Sequence, residues 1–162
     1  MKTAVYPGSF DPITCGHLDI LKRGNEMFDR IKVVLFMNTS KKPLFTIEER
    51  MDMIRQSVTD LDNIEVDCYE GLVVDYMKMH DHRFLLRGLR SISDFESEFQ
   101  MASMNKKMYP EVESIFLMTG HEHAYVSSSL IREIIRFDGN VQGMVPEYVH
   151  QKLVEKIKGM NR

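Results

Sequence analysis

The sequence predicts an α/β fold, a single doubly wound domain with a five-stranded parallel sheet and C-terminal helices. Three observations carry this. Short β-branched runs alternate with helical patterns through five βα steps, which selects a parallel sheet with helices on both faces. Residues 31–37 form an apolar run broken only by Lys32, as expected of a strand buried on both sides. The chain has 162 residues, a length for one domain, taken as 1–162.

The elements follow in order. Residues 2–6 read as a strand, and Leu18, Leu21, Asn25 and Phe28 fall at helical spacing, so 16–28 is a helix. After the strand at 31–37, Thr46 and Glu49 form a capping box, and Ile47, Met51, Ile54 and Val58 make the apolar stripe of the helix it opens. A strand at 63–69 and a short helix at 72–79 come next, then a strand at 83–87. Ser93 and Glu96 read as a second capping box, opening a helix to Tyr109 with Phe95, Phe99, Ala102 and Lys106 on one line. The last strand is 114–118, followed by a helix at 127–137 and a turn at 138–140. Pro146 suits the first position of a final helix to Lys158.

Composition narrows the function classes. Lys and Arg number 21 against 24 Asp and Glu, a net charge of −3. That lacks the basic excess of a nucleic-acid binder, although basic residues concentrated in one cleft would still hold a small anion. The longest apolar run, 33–37, is far short of the roughly 20 residues of a membrane span. The N-terminus has no signal-peptide core. Cys15 and Cys68 belong to no CxxC pair, which reads as reduced thiols in a cytoplasmic protein.

In open parallel sheets, ligands sit beyond the carboxyl ends of the strands. The first such loop, 7–17, carries Ser9, Phe10 and a His at a helix start, His17. Helix N-termini attract phosphate, and a His there can donate to a phosphoryl oxygen. The second, 38–46, carries Lys41 and Lys42, and the fourth carries Arg87 and Arg90. Guanidinium suits phosphate contact, but Asp94 and Glu98 are near enough in sequence to pair with Arg87 instead. The fifth ends in Ser127, Ser128 and Ser129 at a helix start. Capping needs one serine, so three suggest donors to a polyphosphate.

Other patterns count for less. The pairs His80, His82 and His121, His123 lack the cysteines of a metal site and read as exposed histidines. Met101, Met104 and Met108 form a stripe suited to core or subunit contact. Cys15, at a helix N-terminus, has two readings: a small residue tolerated at its position, which is favoured, or a thiol of lowered pKa.

Thr14-Cys15-Gly16-His17 resembles the (T/H)xGH motif of the nucleotidyltransferase superfamily, and residues 126–132 resemble its ISSSxxR signature. Residues 6–12, Lys41-Lys42-Pro43 and Arg87-Gly88-Leu89-Arg90 resemble one family within it, the bacterial phosphopantetheine adenylyltransferases. The likeness covers nearly the whole chain. It departs at Cys15, where Asn is common, at Val126, where Ile is usual, and at His121 and His123, where many members carry an aromatic residue.

The resemblance implies a Rossmann-like fold and transfer of AMP from ATP to 4′-phosphopantetheine, giving dephospho-coenzyme A and pyrophosphate with Mg²⁺. It implies a cytoplasmic homohexamer under feedback inhibition by coenzyme A, with no nucleic acid or membrane as partner and the metal held through the ATP phosphates. It places His17, Lys41 and Arg90 in catalysis. It gives ATP contacts to Ser9, Phe10, His17, Gly88, Leu89, Arg90, Glu98, His123, Ala124, Tyr125, Val126, Ser127, Ser128 and Ser129. It gives substrate contacts to Ser9, Lys41, Val73 and Arg87. Relatives acting on nicotinamide mononucleotide, glycerol phosphate or flavin mononucleotide are disfavoured by Arg87-Gly88-Leu89-Arg90, and a silent nucleotide sensor by the intact His17, Lys41 and Arg90.

Overall fold

A computed structural model describes residues 1–37 and 42–160. Lys41 therefore lies outside the described residues. Five strands, β1 (Thr3–Gly8), β2 (Arg30–Phe36), β3 (Ile64–Tyr69), β4 (Phe84–Leu89) and β5 (Glu113–Met118), form one parallel sheet in the order β3-β2-β1-β4-β5. Six helices connect or follow them: α1 (Cys15–Met27), α2 (Ile47–Ser57), α3 (Val73–Met79), α4 (Ile92–Met108), α5 (Ser128–Arg136) and α6 (Glu147–Met160). The chain winds outward from β1 to β3, crosses back through α3 to β4, and continues to β5. The predicted doubly wound α/β fold is the one observed.

The period-two alternation of strand side chains sorts the core into two faces. Ala4, Tyr6, Ile31, Val33, Leu35 and Leu86 join the cluster with Ile20 and Leu21 of α1, Met53 and Ile54 of α2, Ile131 of α5 and Leu153 of α6. Val5, Val34 and Leu85 point the other way, onto Tyr76 and Met77 of α3 and Val112. Helix α4 contributes little to either: Ile92, Phe95, Phe99, Met101 and Met104 are all exposed.

Strand β4 runs two residues past the expected 87, to Leu89, and the cap of α4 and the end of β1 differ from expectation for local reasons. The cap of α4 is Ser91, whose Oγ accepts from the Asp94 amide at 3.2 Å. Ser93 instead shares a hydroxyl contact with Ser91 at 2.9 Å and Glu96 closes no box. The predicted capping box at Thr46 and Glu49 is present, with both reciprocal bonds. Strand β1 runs past Pro7 to Gly8. Pro7 has no N–H for a ladder, but pairing with β4 has already ended two residues earlier, at Val5.

Helix α1 lies close against the sheet at Gly24. A β-carbon there would sit 2.8 Å from Leu86 Cδ2 and 3.0 Å from Ile31 Cδ1. Gly24→Val is therefore expected to destabilise the fold by about 1–3 kcal/mol, as overpacked core positions do, read from the midpoint of urea unfolding.

Candidate active site

The sheet opens where its order reverses. β1 pairs with β4 only at Ala4–Phe84 and Val5–Leu85, whereas β1 stays with β2 to Gly8–Leu35 and β4 stays with β5 to Leu89–Met118. The two halves separate at their carboxyl ends, the place where such sheets bind ligands. A cleft of about 1600 Å³ lies there. Arg87 of β4 spans its floor: Nη1 donates to the carbonyl of Pro7 on β1 at 2.9 Å. Its Nε donates to Glu98 Oε2 at 2.8 Å, and Nη2 to the other Glu98 oxygen. Arg87 is thus both paired with an acid and turned to the cleft, with one N–H left on each terminal nitrogen.

His17 occupies the third position of α1 and closes a capping box with Thr14. The Thr14 backbone N–H donates to His17 Nδ1 at 3.0 Å, and the His17 amide donates back to Thr14 Oγ1 at 3.3 Å. A backbone amide can only donate, so Nδ1 is the acceptor and the ring proton resides on Nε2. Phe10 packs edge-on to the imidazole, with centroids 5.0 Å apart, and Tyr6 stands behind Phe10 at 5.5 Å. Phe10 adopts φ +43°, a left-handed conformation strained for a non-glycine residue. Gly8 makes room for it, since a β-carbon there would meet the Phe10 ring at 3.0 Å. Burial, then the charges of Arg90 and Arg87, lower the His17 pKa from 6.5 to about 4. The imidazole is a neutral donor at physiological pH.

The loop after β5 is tied to α1 and β4. Asp19 accepts from the Gly120 amide at 3.0 Å, and Arg23 donates to the Met118 carbonyl at 2.6 Å. Arg90 donates to Asp94 at 3.1 Å and to the Val126 carbonyl at 3.2 Å. The three serines each have a structural partner. Ser127 caps α5 through the Leu130 amide, Ser128 donates to the Pro12 carbonyl at 2.8 Å, and Ser129 accepts from Arg132 at 3.3 Å. What α5 offers a ligand is its first-turn N–H groups, at Ser128 and Ser129.

Comparison with known proteins places the chain in a family. The cytidylyltransferase-like family model matches residues 5–134. A phosphopantetheine adenylyltransferase of Carboxydothermus hydrogenoformans is 54% identical over 98% of both chains. The chain belongs to the phosphopantetheine adenylyltransferase family. The Dictyoglomus turgidum member is 51% identical over 98% of this chain and 99% of its own, and that of Syntrophus aciditrophicus is 49% identical over 99% and 98%. The crystal structure of a candidate nicotinate-nucleotide adenylyltransferase from Vibrio parahaemolyticus superposes with a TM-score of 0.67, covering 95% of this chain and 99% of that one. At 13% identity, that match speaks to the fold.

Of the residues singled out from sequence, Ser9, Phe10, His17, Arg87, Gly88, Arg90, Glu98, Val126, Ser127, Ser128 and Ser129 line the cleft. Leu89, His123, Ala124 and Tyr125 flank it without lining it, and Val73 packs beside the second core cluster. The histidine pairs are not uniformly exposed: His80 and His121 are, whereas His82 and His123 are half-buried. Burial raises the Cys15 thiol pKa against a smaller opposing effect of Lys22, which overturns the reading of a lowered one.

Sequence reading missed Asp11, Arg50 and the side chain of Arg132 as cleft residues of this family member. Arg50 had a visible signal: it falls three residues after Ile47 and four before Ile54, a charge on the apolar face of α2. It is buried and donates to the carbonyls of Ser9 at 2.9 Å and Thr46 at 3.3 Å.

The tautomer is testable directly. Nitrogen shifts of the His17 ring are expected to report Nε2–H, with no protonation until pH is near 4. The unfolded imidazole takes a proton near 6.5 and the folded one does not, so stability is lost as pH falls between these values. Replacing His17 is expected to flatten the slope of stability against pH in that window.

Proposed function

We propose that this protein transfers the adenylyl group of ATP to the phosphate of 4′-phosphopantetheine, releasing pyrophosphate and giving dephospho-coenzyme A. The observation that carries the reading is His17 held as a neutral Nε2–H donor beside Arg87 and Arg90, in a member of this family. That arrangement suits two polyanions and needs no base.

The nucleophile is a phosphate monoester, whose second ionisation lies near pH ~6. An oxygen of this dianion attacks the α-phosphorus, and the bond from that phosphorus to the bridging oxygen breaks, leaving with pyrophosphate. No proton has to be removed from the attacking group. The protein's task is to place the reactants and offset their repulsion. His17 donates to an α-phosphate oxygen. Arg90 and the α5 N-terminus take the phosphates of ATP, with Ser9, Phe10, Gly88, Leu89, Glu98 and the segment at 123–129 around the nucleotide. Arg87, Ser9 and Lys41 take the phosphate of the acceptor, and Val73 faces its pantetheine arm.

Among the described residues no three His, Cys, Asp or Glu side chains gather to hold a metal ion. The donors turned to the cleft are cations and N–H groups, which suit phosphate oxygens. Mg²⁺ is proposed to arrive on the nucleotide, where it would offset phosphate charge.

The same reading takes coenzyme A as a feedback ligand of this cleft and a cytoplasmic homohexamer as the working form. Among the described residues no helix is long and apolar enough to cross a membrane. The uncovered side chains of α4, with Phe99 59% exposed, supply the apolar area a subunit contact needs.

Incubation with ATP, Mg²⁺ and a mixture of 4′-phosphopantetheine, nicotinamide mononucleotide and glycerol 3-phosphate is expected to yield dephospho-coenzyme A and pyrophosphate by mass spectrometry. A different adenylylated product would replace the substrate. His17→Ala is expected to lower kcat by roughly 100-fold or more with little change in KM, as loss of an oxyanion donor does. An unchanged kcat removes His17 from the chemistry. Phe99→Glu is expected to shift the protein to smaller species in light scattering; an unshifted mass counts against α4 as the contact.

A further inference from the structure

Asp11 has a burial and a set of partners that the reaction as described does not use. It is 5% exposed, and both carboxylate oxygens are occupied by consecutive backbone amides from a distant part of the chain. Leu44 N–H donates to Oδ2 at 2.8 Å and Phe45 N–H to Oδ1 at 3.0 Å. Arg132 stands 3.8 Å from Oδ2 and donates to the Asp11 carbonyl at 2.7 Å. The loop after β1 is thereby fastened to the segment entering α2. Arg50, 6% exposed, makes the same connection from the other side, through the carbonyls of Ser9 and Thr46.

We infer that Asp11 is a positioning residue for the reaction, a two-oxygen clamp that sets where residues 42–46 stand relative to Ser9, Phe10 and His17. This rests on the adenylyl-transfer reading above. The geometry selects aspartate. Two adjacent N–H groups need two acceptors at short reach; an asparagine of the same shape offers one oxygen and turns its NH₂ toward the second donor. The fastened segment reaches the cleft, since Lys42, Pro43 and Thr46 line it while Leu44 and Phe45 are buried beneath. Lys42 can offset phosphate charge only where its backbone holds it. Reactions that depend on placing two bound groups are sensitive to such shifts, about 100-fold for roughly 1 Å. A carboxylate is costly to bury unless its hydrogen bonds are satisfied. Here the satisfying partners are amides of the neighbouring segment that carries Lys42, so the group that needs them also fixes that segment.

The test compares wild type with Asp11→Asn in the full chain, by steady-state kinetics with ATP and 4′-phosphopantetheine and by hydrogen exchange across residues 42–46. Absence of dephospho-coenzyme A from wild type would refute the reaction, not the clamp. With wild type active, Asp11→Asn is expected to exchange faster at Leu44 and Phe45 and to lose about 10- to 100-fold in kcat, with each KM within threefold. Faster exchange with unchanged kcat overturns the inference, and so does a loss of kcat with unchanged exchange. If Asp11→Asn does not fold, Arg50→Lys slackens the same two loops from the other side. It is expected to give the same kcat-selective loss, smaller in size, and an unchanged kcat despite faster exchange overturns the inference equally.

Discussion

The structure depends on a sheet that is made to come apart at one place. β1 and β4 share two paired positions and then diverge, and everything chemical is built into the gap. A gap in a ladder leaves backbone groups without partners, which is costly inside a protein. Arg87 answers that cost by donating across the gap to the carbonyl of Pro7. It needs its own counter-charge, and Glu98 of α4 supplies it. The same side chain therefore bridges the split, neutralises a half-buried acid and presents its remaining N–H groups to a ligand.

The cleft's charges follow a common pattern, in which acids hold the basic side chains and the basic side chains meet the solvent space. Glu98 holds Arg87, Asp94 holds Arg90, and Asp11 lies beside Arg132. This lets a chain of net charge −3 offer a site for polyanions. His17 differs because it contributes no charge. Its depressed pKa arises first from burial and then from the arginines around it, and its proton is placed by the Thr14 amide. A donor already neutral and oriented requires no change of protonation as charge develops at phosphorus.

Much of this was legible in the sequence where the signal is local. The alternation of elements, the box at Thr46 and Glu49, and the four residues Thr14 to His17 each depend on neighbours within a turn or two. The box expected at Ser93 failed because Ser91 competes for the same helix start, and spacing does not rank two candidate caps. Three serines at 127–129 exceed what a cap requires, which is why the sequence points to phosphate donors there. Ser127 caps α5 and Ser129 accepts from Arg132 one turn on, both local, whereas the Ser128 bond to the Pro12 carbonyl exists only through packing.

The sequence by itself determined the fold class, the position of the chemistry at the strand ends and the family, because hydrophobic period, turn residues and contiguous motifs are properties of short stretches. Tertiary structure alone decided that β1 and β4 part after Val5, that Arg87 spans the parting, and that Asp11 is bonded to Leu44 and Phe45. Those contacts join residues 80, 33 and 34 positions apart. Each arises from the strand order β3-β2-β1-β4-β5, which no local pattern encodes. The pKa of His17 is of the same kind: its residue type and place at a helix start were visible in the chain, but its burial and the two arginines beside it exist only once the sheet is assembled.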